Sequence, residues 1–395
     1  MSDGQGSLLS GNDSLKAQGS FVKESQGVAD GFRNVSQHWL PKTLTFEQGF
    51  EQLAKQKQGR EDLTVDIRDV NFLANDGVLT VGLNGKEYKP TDWAARQLCN
   101  WFDTPQTMLV HYRGNAAAQD LMCRAFRLGR DGYANSKKKE SKKLLFRTYN
   151  DGTLRGVMSD SYSIVDNEWY MNVLKEFIPG GRLSHFHFSD SDNFCGNILI
   201  PDSIRSETDS DYGGMLHCGN SEIGKRKLFQ LASIFSAICM NGCIWGQEKG
   251  EILSKRHRGL MLDNLKELIR LNIETQIPLL TTKVADFLGM REWEITAPIV
   301  NIFAQISKAH NLSKEVTNKV GETWFSDAVG RAKTAFGVQD ALTRAGQLFD
   351  SDTWETCDEI AGGILMGGQK GWATLNSKAS LMTEKEAKAV FGGAA

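Results

Sequence analysis

The stretch from Asp211 to Trp245, DYGGMLHCGNSEIGKRKLFQLASIFSAICMNGCIW, constrains the fold of this chain more than any other. It joins an apolar strand candidate, Met215 to Cys218, to a glycine-framed turn, a basic triplet and the most hydrophobic segment of the sequence, which starts at Leu228. Only Gln230, Ser233 and Ser236 interrupt that segment with polarity, so it reads as a helix apolar on nearly all sides, packed as a buried core helix on a sheet. Strand, turn and helix in that order invite comparison with a phosphate-binding loop. Gly219 to Lys225, GNSEIGK, fills the seven positions of G-x-x-x-x-G-K. The eighth should be Ser or Thr, whose hydroxyl holds magnesium, and it is Arg226. No apolar strand ending in an acid supplies the second metal-binding motif, so nucleotide hydrolysis is set aside. Lys225, Arg226 and Lys227 then stand at a helix start, where like charge opposes the helix dipole by roughly a few tenths of a kcal/mol each. They are expected to face an anion, and a nucleic-acid phosphate is the simplest one.

Around this stretch the chain is punctuated by turns with a mechanism. FEQGFEQLAKQKQG from Phe46 reads as an amphipathic helix ended by Gly59, and Leu63, Val65 and Ile67 alternate with polar residues as in a half-buried strand. Asn84-Gly85 and Asn150-Asp151-Gly152 sit between β-suited runs and predict tight hairpins. Thr91 and Asp166 are placed to cap helices over DWAARQLCNWF and NEWYMNVLKEF, and a further helix covers Ala116 to Leu128. From Gly250 onward strand signals fade and helical patterns follow one another.

The expected fold class is therefore α+β: a twisted antiparallel sheet of hairpins, a buried core helix, and a helical C-terminal subdomain. With 395 residues the chain accommodates two or three domains. Residues 1–40, polar and rich in Gly and Ser, read as a disordered lead-in without the pattern of a secretory signal. Residues 41–130 form a small α+β domain, 131–143 a basic linker, 144–250 the central core and 251–395 the helical part. The glycine-rich run CDEIAGGILMGGQKGWATLNSKASLM reads as a loose tail suited to packing or to contacts in a homo-oligomer.

Net charge is −2, so the chain is no bulk polycation, but its charge is unevenly placed. Arg130 to Arg147 carries seven basic residues against two acidic, Glu222 to Arg258 seven against three, and Asp190 to Asp211 six acids against one base. Such polarity can steer a polyanion. The nucleic-acid-binding candidates are Lys137, Lys138, Lys139, Lys142, Lys143 and Arg147, then Lys225, Arg226 and Lys227, then Lys255, Arg256 and Arg258, with Tyr149 and Tyr162 as stacking platforms. His185 and His187 share one face of a strand beside Asp190 and Asp192, the ligand types of a metal site, though no third ligand set has recognisable spacing. The seven cysteines form no CxxC pair and read as reduced, buried thiols, in keeping with a cytoplasmic protein. No apolar run is long enough for a membrane span, and no cofactor is called for.

The runs RGVMSDSYSIVDNEWYMNVL, GGMLHCGNSEIGKRKLF, AICMNGCIWG and QDALTRAGQLFD, together with the earlier YKPTDWAARQLCNWFDTPQTML, resemble the phage/plasmid-like family catalogued as domain of unknown function 932. The resemblance implies a gene of phage, prophage or plasmid origin, acting in the cytoplasm of a bacterial host, where DNA processing and defence evasion are common tasks. It implies no reaction and no site residue. The outline of hairpins and a core helix is also similar to Rad52-type single-strand annealing proteins. Three readings follow: a phage-encoded protein that binds single-stranded DNA in replication or recombination, a metal-dependent enzyme built on His185, His187, Asp190 and Asp192, and a host-interaction protein using its acidic segment as a DNA mimic.

Overall fold

The glycine turns marked in the sequence reverse the chain where the pattern places them. The computed structural model describes residues 39–75, 78–109, 115–135, 143–189, 193–207, 210–237, 241–244, 253–326 and 333–391. Thr45 caps α1 (Phe46–Lys57) in a full capping box with Gln48, and Gly59 at φ 75° ends that segment. Asn84 and Gly85, at φ 50° and 80°, join β3 (Val78–Leu83) to β4 (Lys86–Pro90), the geometry that suits an Asn-Gly hairpin. Gly152 at φ 81° does the same between β5 (Lys143–Tyr149) and β6 (Thr153–Ser159).

With β1 (Arg60–Asp66) and β2 (Asn71–Asn75) these strands make a first sheet in the order β1-β5-β6-β4-β3-β2. Every pairing is antiparallel except β4 with β6, which is parallel. α2 (Asp92–Trp101), capped by Thr91, and α3 (Ala116–Asn135) cover it. Val65, Ile67, Phe72, Val81, Leu98, Phe126 and Phe146 form the core between sheet and helices.

α4 (Asn167–Phe177) leads into a second sheet, antiparallel throughout, in the order β12-β11-β10-β8-β7. Its strands are β7 (Arg182–Ser189), β8 (Asn193–Leu199), β9 (Arg205–Ser206), β10 (Asp211–Ser221), β11 (Leu228–Ser236), β12 (Asn241–Ile244) and β13 (Leu253–Lys255). β9 adds to β10, and β13 to β11.

The apolar run from Leu228 is thus a strand, not the buried helix its composition suggests. Every residue of β10 and β11 is buried, because both faces of this sheet are covered. On one face Tyr212, Leu216 and Cys218 join the main core with α4 and α5 (Leu262–Gly289). On the other, Met215 and Phe235 pack with Trp39 and Leu199. A strand buried on both faces loses its alternation, and a continuous apolar run results. The helix that lies on the sheet is α5, and Gly214 lets it approach: a Cβ there would stand 2.8 Å from Leu280 Cβ.

α6 (Ile299–His310), α7 (Lys314–Ser326), α8 (Ala335–Gly346), α9 (Ser351–Ser380) and α10 (Glu384–Phe391) complete an α+β fold. The glycine-rich tail is α9, a long helix interrupted only at Gly368. A boundary at residue 144 would cut the first sheet, since β5 and β6 pair with β1 and β4, and residues 131–135 of the expected linker belong to α3. Residues 1–38 lie outside the described residues. Among the described residues no helix is long and apolar enough to cross a membrane.

Candidate anion-binding edge and thiol cluster

The segment read as a phosphate loop has a different geometry. Gly219, Asn220 and Ser221 belong to β10 and pair with Cys195, Phe194 and Asn193 of β8, so their backbone is engaged in the sheet. After them Glu222 to Lys227 form a hairpin turn, with Gly224 at φ 76° and the Lys225 N–H donating to Ser221 Oγ at 3.0 Å. No helix starts here, and the dipole argument for the basic triplet falls with it.

What the fold does instead is bring two basic segments to one end of the second sheet. Leu228 pairs with Lys255, which sets Lys255 and Arg256 beside Lys227, and Arg258 bridges to the backbone of Tyr162. Lys225, Lys227, Arg256 and Arg258 are exposed, and Lys255 is half-buried. Among the described residues, Lys227, Lys255, Arg256 and Arg258 make no ion pair within 4.0 Å, whereas Arg226 is drawn inward to Glu355.

Other expected nucleic-acid ligands are elsewhere. Arg147 is fully buried, a correction to its reading as a phosphate contact. Its Nε and Nη2 donate to the two carboxylate oxygens of Asp62 at 2.8 Å each, and its Nη1 to Glu222 Oε2 at 2.9 Å. Arg60 donates to the same Glu222 oxygen at 2.7 Å and to Asp166 at 3.1 Å, while the Asn167 N–H reaches Glu222 Oε1 at 2.7 Å. Burial pushes the Glu222 carboxyl upward against the pull of the two guanidiniums. This network joins the first sheet to the hairpin turn of the second. Lys143 is exposed at the opposite end of β5, paired across the ladder with Asp66. Lys137, Lys138, Lys139 and Lys142 lie outside the described residues, as do Asp190, Asp192 and the side chains of His185 and His187. Among the described residues no group of three or more His, Cys, Asp or Glu could hold a metal ion.

Neither tyrosine is an open platform. Tyr149 is buried under the guanidinium of Arg155, 3.7 Å from its ring centre. Tyr162 already stacks on His257, with centroids 5.2 Å apart and planes 2° from parallel. Within the acidic segment, Asp211 is buried and accepts from Trp39 Nε1 and Ser206 Oγ at 2.6 Å each, which removes it from any DNA-mimicking surface.

Behind the basic edge sits a group of residues that, Arg226 apart, the sequence did not single out. β8 and β10 place Asn197 opposite His217 and Cys195 opposite Gly219, so all three side chains share a sheet face. His217 Nδ1 lies 2.7 Å from Asn197 Oδ1, which assigns it the proton and leaves Nε2 facing Cys195 Sγ at 3.9 Å and Glu355 Oε1 of α9 at 3.6 Å. Arg226 reaches in from the turn, with Nη1 3.4 Å from Cys195 Sγ and 3.1 Å from Glu355 Oε2. Gly219 makes room for this packing, because a Cβ there would stand 2.5 Å from the Phe229 ring. Burial works against charge on His217, but Cys195 and Glu355 outweigh it and raise its pKa to about 10. Glu355 is held below the usual carboxylate range by His217 and Arg226 despite burial, while burial, with the charge of Glu355 beside it, drives Asp358 well up against the pull of His217.

Arg226, Lys227, Phe229, Leu231, Glu355 and Glu359 line an adjoining cavity of about 500 Å³. Period-two spacing puts Cys195 and Asn197 on one face, so that part was legible in the sequence. Their meeting with His217 and Glu355 depends on strand register and on the docking of α9. Comparison with family models, with curated proteins and with solved structures finds no match to this chain.

Proposed function

We propose that this chain binds single-stranded nucleic acid along the edge formed by the 222–227 turn and β13, in keeping with the phage- or plasmid-encoded DNA processing that its sequence resembles. The observation that carries the reading is the pairing of Leu228 with Lys255, which gathers Lys225, Lys227, Lys255, Arg256 and Arg258 at one end of a sheet. Four of these cations lack a carboxylate partner among the described residues, the arrangement expected where phosphates supply the counter-charge. With neither Tyr149 nor Tyr162 open as a platform, affinity here rests on charge rather than on base stacking.

Anisotropy of a labelled single-stranded oligonucleotide, titrated at several salt concentrations, tests this. Four phosphate contacts on a single strand give a log–log salt slope of about −3, a loss of roughly fiftyfold between about 50 and 200 mM salt. A Lys227→Ala, Lys255→Ala, Arg256→Ala triple variant is expected to lose most of the slope, and Lys143→Ala very little. Binding that ignores salt, or that survives the triple change, removes the proposal.

A further inference from the structure

We infer that Cys195 is a nucleophile for acyl transfer, with His217 as its acid–base partner, Asn197 as the positioning residue of that histidine, and an activated ester or thioester as the substrate class. The inference is independent of nucleic-acid binding and rests on different side chains. Three features of the geometry carry it. A thiolate is the reactive form of cysteine and forms beside cations, and Cys195 Sγ has His217 Nε2 at 3.9 Å on one side and Arg226 Nη1 at 3.4 Å on the other. A base that takes and returns a proton works best when its ring is fixed, and the Asn197 carbonyl oxygen at 2.7 Å fixes His217 through Nδ1. A substrate needs space beside the sulfur. Cys195 packs against Phe229 and Leu231, and those two residues with Arg226 wall the cavity of about 500 Å³.

The same cavity suggests the substrate class. Phe229 and Leu231 give it an apolar wall for the acyl chain, and Arg226, 3.4 Å from the sulfur, is within reach of an oxyanion formed two bonds from it. In the first step the Cys195 thiolate attacks the carbonyl carbon. A sulfur–carbon bond forms and the carbonyl π pair moves to oxygen, facing Arg226. The tetrahedral adduct collapses, the bond to the leaving alkoxide or thiolate breaks, and that group takes the proton from His217 Nε2. In the second step water gives a proton to His217 Nε2 as its oxygen bonds to the acyl carbon. The sulfur–carbon bond then breaks, releasing the carboxylic acid and restoring the thiolate and imidazolium. Glu355 neither gives nor takes a proton in this scheme, although its Oε1 lies 3.6 Å from His217 Nε2. It holds His217 and Arg226 in place from α9.

The test uses the full chain and p-nitrophenyl acetate. The expected result is a burst of one equivalent of nitrophenolate, an acetyl group on the Cys195 peptide by mass spectrometry, and steady turnover afterwards. Cys195→Ala abolishes the burst. His217→Gln slows acylation by roughly a hundredfold. Asn197→Ala shifts the acidic limb of the pH–rate profile, which a purely structural residue would leave in place. No burst, a burst that persists in Cys195→Ala, or an acetyl adduct that never turns over would each overturn the inference. Should Cys195→Ala fail to fold, iodoacetamide on the unmodified protein at pH 6 decides instead. Cys195 is expected to label ahead of Cys99, Cys123, Cys218 and Cys357, and equal or slower labelling counts against it.

Discussion

His217 shows how a single buried side chain can carry a stability signature. Asn197 and Cys195 meet it on the sheet, Arg226 lies across from it, and Glu355 and Asp358 face it from α9. Its pKa rises from 6.5 to about 10, so folding favours the protonated ring. A raised value contributes stability that is complete below pH 6.5 and is lost as pH climbs through about 10. Denaturant unfolding measured in steps from pH 6 to 10 should therefore fall in stability across that window, by at most about 1.4 kcal/mol per pH unit from this group. The His217→Gln variant should lack that component, so the difference between the two curves isolates it. Parallel curves would mean the ring is neutral in the folded protein. At this scale the sequence shows its local chemistry well: Thr91, Asn84 and Gly85 act where their side chains or φ preferences predict. Asp166 shows the limit. It stands at the start of α4 as its type suggests, yet its carboxylate goes to Arg60 rather than to the helix N–H groups.

Elements are legible where one face is wet and obscured where both are dry. The β3 run alternates in burial and was readable as a strand, whereas β11 is buried at every position and offered no period to read. Length and apolarity then favoured a helix for the Leu228 segment, and tertiary cover decided otherwise. α9 is the reverse case, since its glycines suggest a loose tail but packing makes it helical. Cys357, Ile360, Ala361 and Leu365 are buried before the break at Gly368, and Trp372 and Ala379 after it. Beyond the break Trp372 Nε1 donates to the Glu294 carbonyl at 2.9 Å, and Asn376 Oδ1 accepts from Thr296 N–H at 2.9 Å. Gly368 at φ 59°, ψ −171° occupies a region that only glycine visits without strain. Gly368→Ala should cost about 1–3 kcal/mol in denaturant unfolding. Gly367→Ala, whose added Cβ meets nothing within 4 Å, should be neutral or slightly stabilising. Equal effects at the two positions would show that the break is not a strained feature.

Across the whole molecule, two sheets with separate cores meet at a joint that no local pattern reveals. The hairpins are encoded within a few residues, but the order β1-β5-β6-β4 pairs strands far apart in sequence and places the boundary between sheets after Ser159. At the joint, Ile223 is fully buried beside Leu145 and Met158, and a Cβ on Gly156 would stand 2.7 Å from its Cγ2. Its carbonyl accepts from Gln97 Nε2 at 2.8 Å and Trp93 Nε1 at 3.2 Å. Beside it Arg147 ties Asp62 of the first sheet to Glu222 of the turn. Arg147→Met keeps the apolar stem of the side chain but leaves Asp62 and part of Glu222 without their partner, a loss of about 3–5 kcal/mol for a broken buried pair. Arg147→Lys cannot restore the two-pronged contact to Asp62 and should recover only part of that loss. Because the lost contacts lie between the sheets, the cost should fall on their coupling. Calorimetry of the unaltered chain should give one transition for the two sheets, and Arg147→Met should separate it into two, with the first sheet melting at the lower temperature. A single transition merely shifted downward in Arg147→Met would place the coupling in the apolar contacts of Ile223, and Ile223→Ala should then produce the split that the charge change did not.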